Sequence, residues 1–123
     1  MTKSSLGEAV FSLPDADRRG GVALAREFAR RAASTCGYRG NHADVVLVVN
    51  ELTTNAVCHG SGRPVVRIAG GEETMLIEVV DDAAARPEPR ADGWGLQLVA
   101  LLSDSWGVLE RAGQKVVWCE LTA

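Results

Sequence analysis

The stretch that decides the fold is VVLVVNELTTNAVCHG, residues 45–60. Its first five residues favour a β-strand by propensity, but no turn residue separates them from the polar residues that follow. We therefore predict one continuous helix, capped by Asn41, running through Asp44 to Cys58 and ending near Gly60. The apolar side predicted to hold this helix against a sheet carries Val46, Val49, Leu52, Ala56 and Val57.

A polar stripe runs along the same predicted helix. Glu51, Asn55 and His59 are each four residues apart, so they stack on one side of a helix with 3.6 residues per turn. A carboxylate one turn below an amide suits phosphate chemistry, because the carboxylate can orient or deprotonate a nucleophile and the amide oxygen is a hard ligand for Mg²⁺. An exposed polar stripe of an ordinary amphipathic helix has the same spacing, so the spacing alone does not decide between the two.

The rest of the chain predicts alternating strands and helices around this element. The order favours an α/β (α+β) sandwich, a single domain over residues 1–123, with helices packed on one face of a mixed, mostly antiparallel sheet. Residues 82–92 contain two prolines and no hydrophobic periodicity, so we expect a loop there. The predicted strands are Ala9–Leu13, Val65–Ala69, Met75–Val80, Trp106–Arg111 and Lys115–Leu121, and the other helices are Ala16–Cys36 and Leu96–Leu102.

Composition bounds the function. The 123 residues carry 13 basic and 16 acidic side chains, a net charge of −3 that argues against a nucleic-acid binder. The longest apolar run, residues 45–49, is far shorter than the roughly 20 residues that span a bilayer. We expect a cytoplasmic protein that binds neither membrane nor nucleic acid directly. The three cysteines lack CxxC spacing, and we expect them to be reduced and mostly buried.

Two further segments have residue types that suit nucleotide binding. Asp81 directly follows a predicted strand, where a carboxylate can accept a hydrogen bond from an exocyclic amine such as that of adenine. The segment Gly93-Trp94-Gly95-Leu96 opens a predicted helix, whose first free N–H groups attract phosphate. Each segment alone is weak, because aspartate is also a common turn residue and short glycine motifs are frequent.

Taken together, these segments resemble a known family. Residues 45–60, EVVDD (78–82), GWGLQLVALLSDSWGV (93–108) and KVVWCEL (115–121) look like the GHKL superfamily of ATP-binding domains, which has the Bergerat-type fold. Within it, the chain is most similar to the anti-sigma-factor serine kinases of actinobacteria. The specific part is ELTTNAVCHG, which matches the family's asparagine-bearing box over consecutive positions.

The resemblance implies a role for each matched residue. It makes Glu51 the catalytic base, Asn55 the Mg²⁺ ligand and Asp81 the carboxylate that reads adenine. Gly93 and Gly95 become the glycines of the phosphate lid, and we assign Leu96 to the same nucleotide-binding segment. The implied cofactors are ATP and Mg²⁺. The implied partner is an anti-sigma factor antagonist of the STAS type, with a sigma factor as a second candidate, and the resemblance leaves open whether the chain forms a homodimer.

Two departures from the family pattern keep a second interpretation open. Asp81 is followed by Asp82-Ala83-Ala84-Ala85, whereas the family continues DxGxG, and the last strand lacks a threonine that often supports the adenine site. The missing glycines favour a nucleotide-binding adaptor that regulates a partner by binding alone. The retained Glu51 favours a protein kinase, because a pure binding module needs no base.

Overall fold

The computed structural model describes residues 7–14, 18–59, 63–81 and 94–123. Every predicted strand and helix is present, and no boundary differs from its prediction by more than two residues. The elements are β1 (Gly7–Ser12), α1 (Arg18–Cys36), α2 (His42–His59), β2 (Val65–Gly70), β3 (Thr74–Asp81), α3 (Trp94–Leu102), β4 (Ser105–Arg111) and β5 (Gln114–Thr122).

The five strands form one sheet in the order β1-β2-β3-β5-β4. All the pairings between these described strands are antiparallel. The predicted sandwich class is confirmed, but the parallel pairing implied by a mixed sheet is not found among them. Two of the four pairings, β2 with β3 and β4 with β5, are hairpins, which join antiparallel neighbours through a short turn.

The two ends of the sheet can be named from β3. At the turn end, β2 passes into β3 through a tight turn in which Gly71 N–H donates to Thr74 O at 3.0 Å. At the opposite end, called here the Asp81 end, β3 finishes and β2 begins, because Val65 pairs with Val80. The functional side chains can therefore be located by the end to which their elements point.

Helix α2 runs from the turn end to the Asp81 end. Just before it, Arg39 N–H donates to Glu72 O at 2.9 Å, which places its start at the turn end. Its end at His59 is followed within a few residues by Val65, the first residue of β2 at the Asp81 end. The helix is about 27 Å long at 1.5 Å per residue, close to the length of the eight-residue strand β3.

Helix α2 is the central helix on one face of the sheet, in contact with both α1 and α3. The β-prone run of valines stays helical because its apolar members fall on one side at helical spacing and are buried. That buried side is formed by Val45, Val48, Val49, Leu52 and Ala56. Two residues predicted on this side, Val46 and Val57, are only half-buried and pack at the margin of the core.

Local hydrogen bonds fix the ends of the helices. The predicted cap is confirmed, because Asn41 Oδ1 accepts from Ala43 N–H at 2.8 Å. Helix α1 ends at Cys36 and is followed by Gly37, whose φ of 70° suits glycine. There Gly37 N–H donates to Ser34 O and Tyr38 N–H to Ala33 O, the pair of bonds of a Schellman motif. The connection between α1 and α2 is thereby held to a few residues.

The prediction that the three cysteines are reduced and mostly buried is confirmed only in part. All three cysteines are free, but only Cys119 is buried, while Cys36 is half-buried and Cys58 is exposed, so the prediction of mostly buried thiols is wrong for Cys58. Burial raises the pKa of the Cys119 thiol to about 12, so it remains protonated at neutral pH.

In the described part of the chain, no helix is both long and apolar enough to cross a bilayer.

The packing of α2 predicts a large difference between two leucines on this helix. Leu52 is 2% exposed and Leu47 is 37% exposed. We expect Leu52→Ala to lower the free energy of unfolding by about 2–5 kcal/mol, because it leaves a cavity under the helix. Leu47→Ala is the matched control and should cost less than about 1 kcal/mol. Urea unfolding followed by circular dichroism measures both values, and equal losses would contradict the placement of α2.

Candidate functional site

The polar stripe of α2 lies on the flank of the helix that is turned away from α1. The α1 flank is marked by Asn50, whose Oδ1 accepts from Arg26 Nη1 of α1 at 2.9 Å. At about 100° per residue, Asn55 lies about 140° around the helix from Asn50. Glu51 lies one turn before Asn55, and both side chains are half-buried. The structure thus places these two predicted site residues together, partly shielded from water.

A hydrogen bond restrains the Glu51 carboxylate. Asn50 Nδ2 donates to Glu51 Oε2 at 3.2 Å, while Asn50 Oδ1 accepts from Arg26. Three side chains from two helices therefore form a continuous chain of donors and acceptors that ends on the predicted base. Sequence reasoning missed Asn50 and Arg26. The only signal for Asn50 is its position beside Glu51, and nothing in the sequence pairs it with a residue 24 positions earlier.

Asp81 is the most deeply buried charged residue in the described part of the chain, with 1% of its surface exposed. It was predicted to follow a strand, but it is the last residue of β3, opposite Lys115 of β5. It shares a strand face with Ile77 and Val79, which belong to the core beneath the helices. A carboxylate in such a place is costly unless polar groups contact it, and deeply buried carboxylates are candidates for functional residues.

Helix α3 begins towards the Asp81 end of the sheet. After its last residue, Asp104 N–H donates to Glu120 O at 2.8 Å, and Glu120 pairs with Leu76 near the start of β3. Helix α3 therefore ends at the turn end, and its N-terminus points towards the Asp81 end. The free N–H groups of this terminus, the end of α2 with Asn55, and Asp81 are directed to one region.

The predicted glycine segment is only partly described. Gly93 lies outside the described residues, as does the predicted loop of residues 82–92. Gly95, which was predicted to precede the helix, is its second residue. Leu96 is half-buried and packs against the hydrophobic core. Its place in nucleotide binding stays a prediction, as do the roles of Glu51, Asn55, Asp81 and the two glycines.

The donor set fits Mg²⁺ and a nucleotide. Asn55 and Glu51 offer amide and carboxylate oxygens, the hard ligands that Mg²⁺ takes, and one or two protein oxygens are enough where phosphates and water complete the shell. No cluster of three or more His, Cys, Asp or Glu side chains suited to a metal exists within the ranges that the structure describes. The His59 side chain lies outside the described residues.

The geometry agrees with the comparison with protein families. The family model of the histidine kinase-like ATPase domain matches residues 16–120. The chain therefore belongs to the histidine kinase-like ATPase domain family, the GHKL type of ATP-binding domain. Its function is that of an ATP-binding regulatory domain of the kinase and ATPase class. A search of the curated proteins found no match to the chain.

The position of Asp81 predicts that the chain distinguishes adenine from guanine nucleotides. Asp81→Asn retains the shape but removes the charge, and a lost charge-assisted hydrogen bond costs about 1.5–3 kcal/mol. We expect ATP affinity to fall about tenfold or more, measured by calorimetry. Glu78→Gln, on the other face of β3, is the control. Equal affinities of wild type and Asp81→Asn, or equal wild-type affinities for ATP and GTP, would contradict adenine recognition by Asp81.

The position of Asn55 predicts a metal-dependent effect. Asn55→Ala removes an oxygen ligand, so the gain in ATP affinity on adding Mg²⁺ should shrink in the variant. Titrations of ATP with and without Mg²⁺ measure this gain. Thr54→Ala is the matched control, because Thr54 is the exposed neighbour on the same helix. If the Asn55→Ala variant responds to Mg²⁺ as strongly as the wild type, Asn55 is not the ligand.

Proposed function

We propose that this chain is an anti-sigma factor with serine protein kinase activity, which phosphorylates an anti-sigma factor antagonist of the STAS type. The observation that carries the proposal is Glu51, a half-buried carboxylate restrained by Asn50 and one helical turn before Asn55. Holding ATP requires no base. A carboxylate beside the metal ligand has a use when a hydroxyl group attacks the nucleotide.

In this proposal the chain's residues divide the work of phosphoryl transfer. Bound Mg²⁺-ATP would supply the γ-phosphoryl group, and the metal ion would stabilise the negative charge that develops on the phosphate oxygens. Asn55 holds the metal and Asp81 holds the adenine. Glu51 accepts the proton of the partner's serine hydroxyl. The serine oxygen then bonds to the γ-phosphorus, and the bond between the γ-phosphorus and the ADP oxygen breaks. The protein contributes mainly position and charge, as is usual for phosphoryl transfer.

The partners of the proposed kinase follow from the same resemblance. The antagonist protein is the substrate, and a sigma factor is a second partner, which the chain would sequester. Both partners act on transcription, so we place the protein in the cytoplasm. Whether the active form is a homodimer can be measured by light scattering.

One observation favours a second function, an adaptor that binds nucleotide and regulates its partner without phosphorylating it. Residues 82–85 read Asp-Ala-Ala-Ala, where the resemblance calls for glycines. Glycine lets the backbone approach a ligand closely, and alanine at both positions restricts that approach. Retention of Glu51 is the observation against this alternative.

Phosphate transfer by a Glu51 variant separates the two functions. A general base contributes about 10²–10⁴-fold in rate. We expect Glu51→Ala to abolish transfer of labelled phosphate from ATP to a serine of the purified antagonist, while ATP binding stays almost unchanged. Glu110→Ala, at an exposed position of β4, is the control that should transfer at the wild-type rate.

Two results would contradict the proposal, one the kinase activity and the other the role of Glu51. One is a wild-type protein that binds the antagonist and ATP but transfers no phosphate, which would establish the adaptor. The other is a Glu51→Ala variant that transfers at the wild-type rate, which would show that Glu51 is not the base. A variant that loses ATP binding together with transfer would instead assign Glu51 to nucleotide binding.

A further inference from the structure

A groove lies between α1 and α2 on the outer surface of the helical layer. Its volume is about 790 Å³, and it is open to solvent along its length. On the α2 side, the apolar residues Ala43, Val46 and Leu47 form the floor, and the polar residues His42 and Asn50 also line the groove. The wall on the α1 side carries Arg26 and Arg30, one helical turn apart. The groove is separate from the flank of α2 that carries Glu51 and Asn55.

The charge of this region differs from that of the rest of the chain. Helix α1 has five arginines and one glutamate, whereas the whole chain has a net charge of −3. Positive charge is thus concentrated on one helix of an acidic protein. Within the described residues, no carboxylate lines the groove. Glu27, which pairs with Arg30 and Arg31, lies outside the lining.

The two arginines have donors available for a ligand. Arg26 uses Nη1 on Asn50, and Arg30 uses Nη1 on Glu27. A guanidinium has five N–H donors, so both side chains retain N–H groups for a further acceptor. At the floor, Leu47 is an apolar side chain with 37% of its surface exposed. The groove therefore offers two cations beside an apolar strip.

We propose that this groove docks an acidic amphipathic helix of a partner protein. Carboxylates one turn apart on such a helix match the spacing of Arg26 and Arg30, and an apolar side chain between them covers Leu47. The complementary charge of the groove argues for this occupant over a basic or neutral segment. The docking surface contains none of the predicted site residues, but Asn50, which lines the groove, also donates to Glu51.

A synthetic peptide tests the proposal directly. The probe is a fluorescein-labelled helical peptide of about 18 residues with Leu on one side and Glu pairs at i, i+4 beside it. A second peptide carries Lys in place of every Glu. We expect the acidic peptide to bind the wild-type chain with a dissociation constant of about 10 µM, weakening as salt is added, and the basic peptide not to bind.

Matched variants locate the binding. The Arg26→Glu/Arg30→Glu double variant should bind the acidic peptide at least about tenfold more weakly, because two attractive contacts become repulsive. Arg31→Glu/Arg63→Glu makes the same change of charge at exposed positions outside the groove and should stay within about twofold of the wild type. Leu47→Ser tests the floor without altering charge, with Leu101→Ser, 80% exposed on α3, as its control. Circular dichroism checks that each variant is folded.

Three outcomes would overturn the proposal. Equal binding of the acidic and basic peptides would show that charge does not select the occupant. Equal losses in the groove and control variants would show an effect of net charge alone. Absence of peptide binding, together with a concentration-dependent dimer that Arg26→Glu/Arg30→Glu disrupts, would assign the groove to a second copy of this chain.

Discussion

The structure depends on one buried side of α2. Val45, Val48, Val49, Leu52 and Ala56 are all nearly inaccessible and lie on the side of the helix that packs against the core, where α2 contacts β3. A helix whose apolar side is fixed has no remaining rotation about its axis. The buried side of α2 therefore fixes the directions in which the Glu51 and Asn55 side chains point. The geometry of the predicted site depends on the packing of the core. The run is helical despite its β-prone composition, and its buried members recur at helical spacing.

Most of this arrangement could be predicted because it is local in sequence. Three- and four-residue spacings identify α2, Asn41 is its cap, and Gly37 ends α1 with a positive φ. The start of α3 is two residues earlier than the predicted start at Leu96. Gly95 is inside α3 because glycine weakens a helix by only about 1 kcal/mol, and packing against α2 outweighs that cost.

The parts that sequence did not predict are contacts between distant residues. Val46 and Val57 were assigned to the sheet side, but the position of α1 decides which apolar residues of α2 are central and which are marginal. The burial of Asp81 could not be predicted either, because it depends on the register of β3 against β5 and on the helices above. Periodicity within one element gives no information about these neighbours.

The hydrogen bonds of Asn50 connect the two surfaces of α2. Its Oδ1 accepts from Arg26, which lines the groove, and its Nδ2 donates to Glu51 on the other flank. A single amide therefore joins the basic wall of the groove to the proposed base. A carboxylate of a docked helix that binds the remaining N–H groups of Arg26 is connected through Asn50 to the restraint on Glu51. The proposed docking surface and the proposed base are therefore physically linked through this one amide.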